Sequence, residues 1–421
     1  MGSTSIWQSE AERELMARGG WAPLDADVKV DVVIIGAGIT GLAAALWLAR
    51  GGARVAVLEA RTVAAGASGR NGGFLLSGTS ESYAAAITHL GRERARRIWS
   101  FSAANHAMVR DLIDELVALG WECGYQRVGS MRIATSLAEM EEIAAGIEPL
   151  REDGWRAELV SAEDLPAGLG RHGYVGGAFF PDDAEMHPAR FVRGLAWLAT
   201  DAGALLFTES PVSSISVEED IIRVVAAGGA VRAQSLLLAT NAWSGDLGRQ
   251  LGISALEWLI MPQRGQMLAT EPVAARIIPR PCYAEEGYQY WRQRPDGRLV
   301  LGGWRNRSLT TESVMDETPG EAVQEHLDRF LREALNLPDV RIEQRWAGIM
   351  GFSPDGLPLV GCVPHSDGVF IAAGYTGHGN AMAVRAARMV ADLMLNGHAE
   401  DADLLAPERF GEAWHDGTAR G

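Results

Sequence analysis

A chain of 421 residues with 47% apolar and 22% charged residues has the ordinary make-up of a globular protein and is long enough for two domains. Its formal charge of −16 argues against nucleic acid or an anionic membrane as partner and is compatible with a cationic amine. Cys123, Cys282 and Cys362 are far apart and lack CxxC spacing, so neither a disulfide framework nor a zinc or other metal site is expected.

In chain order, residues 10–18 read as a short polar helix, with Trp7 and Trp21 docking on something larger. Met1 to Asp31 lacks a basic region followed by an apolar core. Apolar runs such as Leu42 to Leu48 are too short to span a bilayer, so a cytoplasmic protein without membrane insertion is expected. Residues 31–60 form a β-α-β unit around Gly36, Gly38 and Gly41. Gly36 makes the tight turn, Gly38 lets backbone approach a pyrophosphate, and Gly41 allows close packing of the helix that Ile39 and Thr40 open and Leu42 to Arg50 continue. Arg54 to Leu58 is the next strand. It delivers Glu59, followed by Ala60 and Arg61, to where an acid binds a ribose hydroxyl. A strand, glycine turn, helix and second strand ending in Glu predict dinucleotide binding.

Residues 80–120 read as helical, with apolar side chains at mostly helical spacing from Ile98 to Leu119, and Gly120 ends the run. A strand at 127–134 and a helix at 136–153 follow. Pro188 to Ala202 is a helix, with His187 a helix-start residue rather than a catalytic one. Ala204 to Phe207 is a strand, Val212–Val217 and Ile221–Val225 a meander, and Gln234 to Ala239 an apolar strand ending at Thr240-Asn241-Ala242-Trp243. Between about 255 and 310 the chain becomes strand-rich, with strands expected at Trp258–Met261, Gly265–Ala269, Tyr288–Arg292 and Leu299–Gly303. Glu321 to Leu335 is a helix, Trp346 to Gly361 is glycine-rich, Val369 to Ala373 is a strand, and Asn380 to Leu395 is the last long helix.

The second glycine turn decides between NAD and FAD. Gly374-Tyr375-Thr376-Gly377-His378-Gly379 ends a buried strand and starts a helix. NAD needs one such helix start, whereas a flavin benefits from two, the second at the ring carbonyl where negative charge accumulates on reduction. With Gly66-Ala-Ser68-Gly69-Arg70-Asn71-Gly72-Gly73, Asp296-Gly-Arg-Leu-Val-Leu-Gly-Gly303 and Pro354-Asp355-Gly-Leu-Pro358, the chain resembles the D-amino-acid oxidase superfamily of FAD enzymes from about Trp7 to Gly397. The likeness is to its sarcosine oxidase-like, glycine oxidase-like and gamma-glutamylputrescine oxidase-like members. It implies an α/β protein: a Rossmann-like FAD-binding domain from residues 1–90, 155–250 and 340–421, interleaved with an α+β substrate domain from 91–154 and 251–339, built on an antiparallel sheet.

The resemblance further implies that Gly36, Gly38, Ile39, Thr40, Gly41, Glu59, Ala60 and Arg61 hold the ADP half. Ser68, Gly69, Arg70, Asn71, Gly72 and Gly73 would line the pyrophosphate and ring. Val212 would bind adenine through its backbone, and Ala239, Thr240 and Trp243 would pass under the phosphates. Gly374, Tyr375, Thr376, Gly377 and Gly379 would sit at the ring carbonyl. The implied reaction is oxidation of a C–N bond of a small-molecule amine by hydride transfer to flavin N5, with electrons passing to O2 or an electron carrier. Gly348 stands where sarcosine oxidase attaches FAD through cysteine, so non-covalent FAD is expected. Val300 matches a lysine that assists O2 reduction, which leaves a dehydrogenase open. Ala381 and Gly73 match a lysine and an arginine that grip a substrate carboxylate, which favours an amine or a larger N-substituted substrate. Pocket candidates are Phe74, Tyr288, Tyr290, Arg292, Trp304, Trp346, Met350 and His378. Tyr288, Tyr290 and Arg292 share a strand face; Arg292 is open between a distal carboxylate anchor and a solvated arginine, the tryptophans and tyrosines between pocket and core. His378 is read as a flavin or substrate contact.

Overall fold

The computed structural model describes residues 3–414, apart from the side chains at 13–18 and 168. Val32–Ile35 and Val55–Leu58 are unbroken apolar runs because both faces of their sheet are covered. Val32, Ile34, Val55 and Val57 face a core shared with helices Ile39–Arg50, Pro188–Asp201 and Gly379–Asn396, while Val33, Ile35, Ala56 and Leu58 face Ile222, Val224 and Val231 of a second sheet. The first sheet runs Leu359–Cys362, Val369–Ala373, Ser235–Leu238, Val32–Ile35, Val55–Leu58, Leu205–Phe207 and is parallel except at its first pair. From Val32–Ile35 the chain moves to one side through Val55–Leu58 and later returns on the other through Ser235–Leu238. The crevice beyond the carboxyl ends of these strands is therefore the topological switch point where such sheets bind ligands.

The second sheet has four strands, with Gly229–Ala233 completing the expected meander and pairing in parallel with Val28–Lys29. The third has eight, in the order Ile342–Phe352, Met261–Pro272, Arg298–Gly303, Gln289–Gln293, Cys282–Ala284, Ser130–Ala134, Gly176–Phe180, Glu158–Ser161. One face carries Leu268, Trp291, Leu299 and Leu301 against Val323, Leu327 and Phe330 of Glu321–Arg329 and the wider turn Phe330–Ala334. The other face turns Met267, Tyr283, Tyr290 and Met350 toward the switch point.

Several expected elements shift. The polar helix begins at Ile6, where Ser5 and Gln8 cap it reciprocally, and Trp7 Nε1 donates to the Asn71 carbonyl at 2.8 Å. The run 80–120 breaks at Gly91 into Tyr83–Leu90 and Arg92–Ala118. Trp258–Met261 is not a strand: Leu256–Leu259 is a single helical turn that buries Leu256 and Leu259 together, and the strand starts at Met261. The expected segment 155–250 opens with two strands, Glu158–Ser161 and Gly176–Phe180, that pair in the eight-stranded sheet, as does Ile342–Phe352 within 340–421. Gly176-Gly-Ala-Phe-Phe alternates poorly and begins with two glycines, so it carries little strand signal of its own. Residues 1–2 and 415–421 of the outer segments lie outside the described residues. Among the described residues no helix is long and apolar enough to cross a membrane.

Candidate active site

A single cavity of about 1340 Å³ runs from the switch point to the inner face of the eight-stranded sheet. That exceeds an ordinary small-ligand pocket and has room for a dinucleotide with a substrate beside it. At its floor, Gly36 turns the chain at φ +105° under the Ala239 carbonyl, and a Cβ on Gly41 would lie 2.0 Å from the Gly36 oxygen. Helix Ile39–Arg50 therefore starts hard against the sheet with no side-chain cap and no acid in its first turn; Ser68 Oγ accepts from Ile39 N at 3.2 Å. Glu59 accepts from Ala37 N and Arg61 N, both at 2.9 Å, and burial pushes its carboxyl above the usual range despite those bonds. Val212, Ala239, Thr240 and Trp243 line the same end.

A second helix start opens on the other end. Gly379–Asn396 also lacks a side-chain cap and an acid in its first turn. The Thr40 hydroxyl donates to the Tyr375 hydroxyl at 2.9 Å, tying the two helix starts together. Two N-termini without side-chain caps facing one elongated cavity, with the Glu59 carboxylate on its wall beside the first glycine turn, fit a dinucleotide whose pyrophosphate and ring carbonyl each meet backbone N–H groups.

The loop 66–73 is held mostly by protein. Arg70 donates to the carbonyls of Ala65 at 2.7 Å and Ala347 at 2.8 Å and pairs with Glu317 at 3.2 Å. Asn71 Oδ1 accepts from Gly73 N at 2.7 Å and Asn380 Nδ2 at 3.0 Å, while its Nδ2 donates to Ala67 and Ser68 carbonyls. Both side chains shape the wall rather than present free groups to it. Gly69, Gly41 and Gly374 support the turns from behind, and Ala60, Ser68, Gly72, Gly348, Thr376, Gly377 and Gly379 line the cavity. None of the three cysteines is on its wall. FAD is accordingly expected to leave entirely into the supernatant on acid precipitation; yellow colour retained in the pellet would show a covalent bond.

At the far end, Phe74 and Tyr290 meet edge to face with centroids 6.1 Å apart, and Met350 Sδ stands 3.9 Å from the Cβ position of Gly377. Tyr288 and His378 join them. Burial, with a smaller effect of the Arg132 charge, lowers His378 to about 4, so the ring is neutral at pH 7, and its Nδ1 has no hydrogen-bond partner. His187 is the cap of Pro188–Asp201, accepting from Arg190 N at 3.1 Å, and burial likewise lowers it to about 4. The unfolded chain takes up these protons near pH 6.5, while the native chain resists until about 4. Stability is therefore expected to fall as pH drops below 6.5, by roughly 1–2 kcal/mol per histidine at pH 5. Urea midpoints at pH 7.5 and 5 measure it, and an unchanged midpoint would contradict the buried neutral state.

The structure settles five positions singled out from the sequence, placing the two tryptophans in the core, one of the two alternatives open for them. Arg292 is 3% exposed and off the cavity: its guanidinium donates to Met186 O at 2.9 Å, approaches Glu185 at 3.5 Å, and stacks on Trp7 at 4.9 Å. It shares a strand face with Tyr290, but two residues further on that face is covered by the loop at Gly73. Trp304 sits at φ +59° and packs on Phe330 at 5.0 Å behind the sheet, and Trp346 is buried with Nε1 donating to the Arg70 carbonyl. Gly73 cannot carry a cavity-facing side chain, since at φ +73° its Cβ would lie 2.3 Å from Met186 O. Val300 is buried between Ala269 and Arg292, outside the cavity wall, so its identity says nothing about the O2 side. The expectations missed Tyr283, Phe352, Asn380 and Arg305, all on the wall. Arg305 had a signal: it follows the strand Leu299–Gly303 by two residues, and the left-handed Trp304 turns it to the cavity instead of the core.

The chain belongs to the FAD dependent oxidoreductase (DAO) family, whose profile matches residues 31–393. It is an FAD-dependent oxidoreductase. Among its relatives, it is 30% identical over 384 residues to the probable oxidoreductase OrdL of Haemophilus influenzae, covering 89% of this chain and 84% of that one. It is 29% identical over 399 residues to the gamma-glutamylputrescine oxidoreductase of Escherichia coli, covering 92% and 89%. The fold is that of the glycine oxidase from Geobacillus kaustophilus, with a TM-score of 0.78 at 21% identity over 90% of this chain and 98% of that one.

Proposed function

We propose that the protein oxidises the C–N bond of a primary or secondary amine, or of an N-substituted amino acid, to an imine that hydrolyses, with O2 reduced to H2O2. The observation that carries this reading is the apolar, aromatic end of the cavity: Phe74, Tyr290 and Met350 converge on the helix start at Gly374–Gly379, beside a neutral His378. The names of its relatives, gamma-glutamylputrescine oxidoreductase and glycine oxidase, lie in the same class.

FAD, held by the helix starts at Ile39 and Gly379, would supply the acceptor for the hydride from the carbon bearing nitrogen. The chain's own residues supply position and exclusion. Phe74 and Tyr290 bound a slot that orients the carbon and keeps water from it. The aromatic faces favour an amine's cationic form on approach. Neutral His378 adds no positive charge where the amine must lose its proton. The two helix starts without side-chain caps would hold the negative charge of the pyrophosphate and of the reduced ring.

One observation favours an acceptor other than O2. A positive charge near the ring helps O2 accept an electron, yet Lys29 is absent from the cavity wall, Arg61 and Arg70 there are paired with Glu317, His378 is neutral, and Arg305 stands a side chain away from the oxidising end. Anaerobic titration of the holoenzyme with an amine panel tests both readings. Bleaching of the visible flavin band, then rapid recovery in air with peroxide, supports the oxidase. Slow recovery with dye reduction intact assigns the electrons to a carrier. No bleaching by any amine or amino acid would overturn the amine reading.

A further inference from the structure

Five cationic or potentially cationic side chains reach the cavity wall: Arg61, Arg70, His89, Arg305 and His378. Glu317 holds Arg61 at 2.6 Å and Arg70 at 3.2 Å, and Glu81 lies 3.2 Å from His89. His378 is neutral. Among the described residues, Arg305 alone is a full charge on this wall with no carboxylate within salt-bridge distance. Glu312, the acid whose charge bears on it, is engaged by Arg264 through two 2.8 Å bonds and by Gln266 through a third. Arg305 is instead clamped between rings, its guanidinium 4.4 Å from the centroids of both Tyr288 and Phe352.

Burial lowers Arg305 from its ordinary value, yet an arginine remains charged in such a place; the Tyr288 side chain takes one of its hydrogen bonds, and the rest of the planar fork keeps N–H groups for an anion. Phe352 and Met350 stand two residues apart on one strand face, a spacing of about 6.6 Å. Met350 marks the oxidising end beside Gly377, so the free guanidinium lies one side chain away from that end rather than at it. The positions nearer the ring offer no cation: Ala381 is uncharged, and Gly73 is closed by Met186 O. We infer that Arg305 is the anchor for an anionic group remote from the reacting amine, so that the substrate class is amines carrying a carboxylate about four or five bonds from the oxidised carbon.

This inference rests on the amine reading and is tested with 5-aminovalerate against pentylamine, which differ only in the distal carboxylate. The holoenzyme is expected to favour 5-aminovalerate by roughly 10–100-fold in kcat/KM, the range for a charge-assisted bond. In Arg305→Gln the preference should collapse toward one, mainly through KM, with FAD content retained. Arg305→Lys should keep part of it. Absence of a preference in the native enzyme, or its persistence in Arg305→Gln, overturns the anchor. If neither amine bleaches the flavin, these substrates fail, and perturbation of the flavin spectrum by valerate decides the anchor independently: at least tenfold weaker binding in Arg305→Gln upholds it, and equal binding overturns it.

Discussion

Replacing Gly41 with alanine is expected to strip the protein of FAD. The new Cβ would meet the Gly36 carbonyl oxygen at 2.0 Å and the Ala239 side chain at 3.3 Å, and neither backbone can yield without moving helix Ile39–Arg50 off the sheet. That movement withdraws the uncapped helix start from the pyrophosphate, where it does most electrostatically. A loss of about 2.7 kcal/mol, or ~100-fold in Kd, is the expected scale. Gly20→Ala, whose Cβ would meet nothing within 4 Å, is the matched control. The ratio of FAD to protein after purification, and calorimetric titration of apoprotein with FAD, measure the effect. Stoichiometric FAD in Gly41→Ala would mean that the close approach is not needed.

Removing the Arg292 guanidinium is expected to give the largest loss of stability. Arg292→Ala leaves Glu185 2% exposed without its cation and frees the Gly73 and Met186 carbonyls that hold the loop 66–73 against the large sheet. Breaking such a buried pair from one side costs about 3–5 kcal/mol. Replacing both partners with methionine should recover much of it, because no buried charge is then left over. Urea midpoints of the native protein and these two variants report this. Turnover offers a second discriminator: Arg292→Ala should slow 5-aminovalerate and pentylamine alike, in contrast to Arg305→Gln. A selective loss of the carboxylated amine in Arg292→Ala would return Arg292 to the role that its strand face first suggested.

The contrast between these two arginines shows how far a strand pattern carries. Alternation correctly places Tyr290 and Arg292 on one face, and Trp291 on the other. It does not say where along that face the cavity ends, and the covering loop at Gly73 comes from more than two hundred residues earlier. Trp304 and Arg305 show the complementary limit. A strand read to continue past Gly303 points Trp304 inward, but the left-handed backbone at Trp304 reverses the alternation and sends the tryptophan to the core. The expected strand Trp258–Met261 failed for a related reason, since its four apolar residues fit either period until their neighbours are known.

What was legible from residues alone is local and periodic. The turn Gly36–Gly41, the strand leading to Glu59 and the second turn Gly374–Gly379 identify a dinucleotide and then FAD, because tight turns and uncapped helix starts are set by a few consecutive dihedrals and residue types. The parallel sheet was legible for the same reason: strands buried on both faces read as continuous apolar runs. Tertiary structure alone decided which strands complete the large sheet, and which arginines find acids. Glu185, Glu312 and Glu317 neutralise Arg292, Arg264 and Arg70 across long stretches of chain, and only this pairing leaves Arg305 with its charge free on the cavity wall. A charge's role depends on its nearest opposite charge, and that neighbour is a property of the fold rather than of the local sequence.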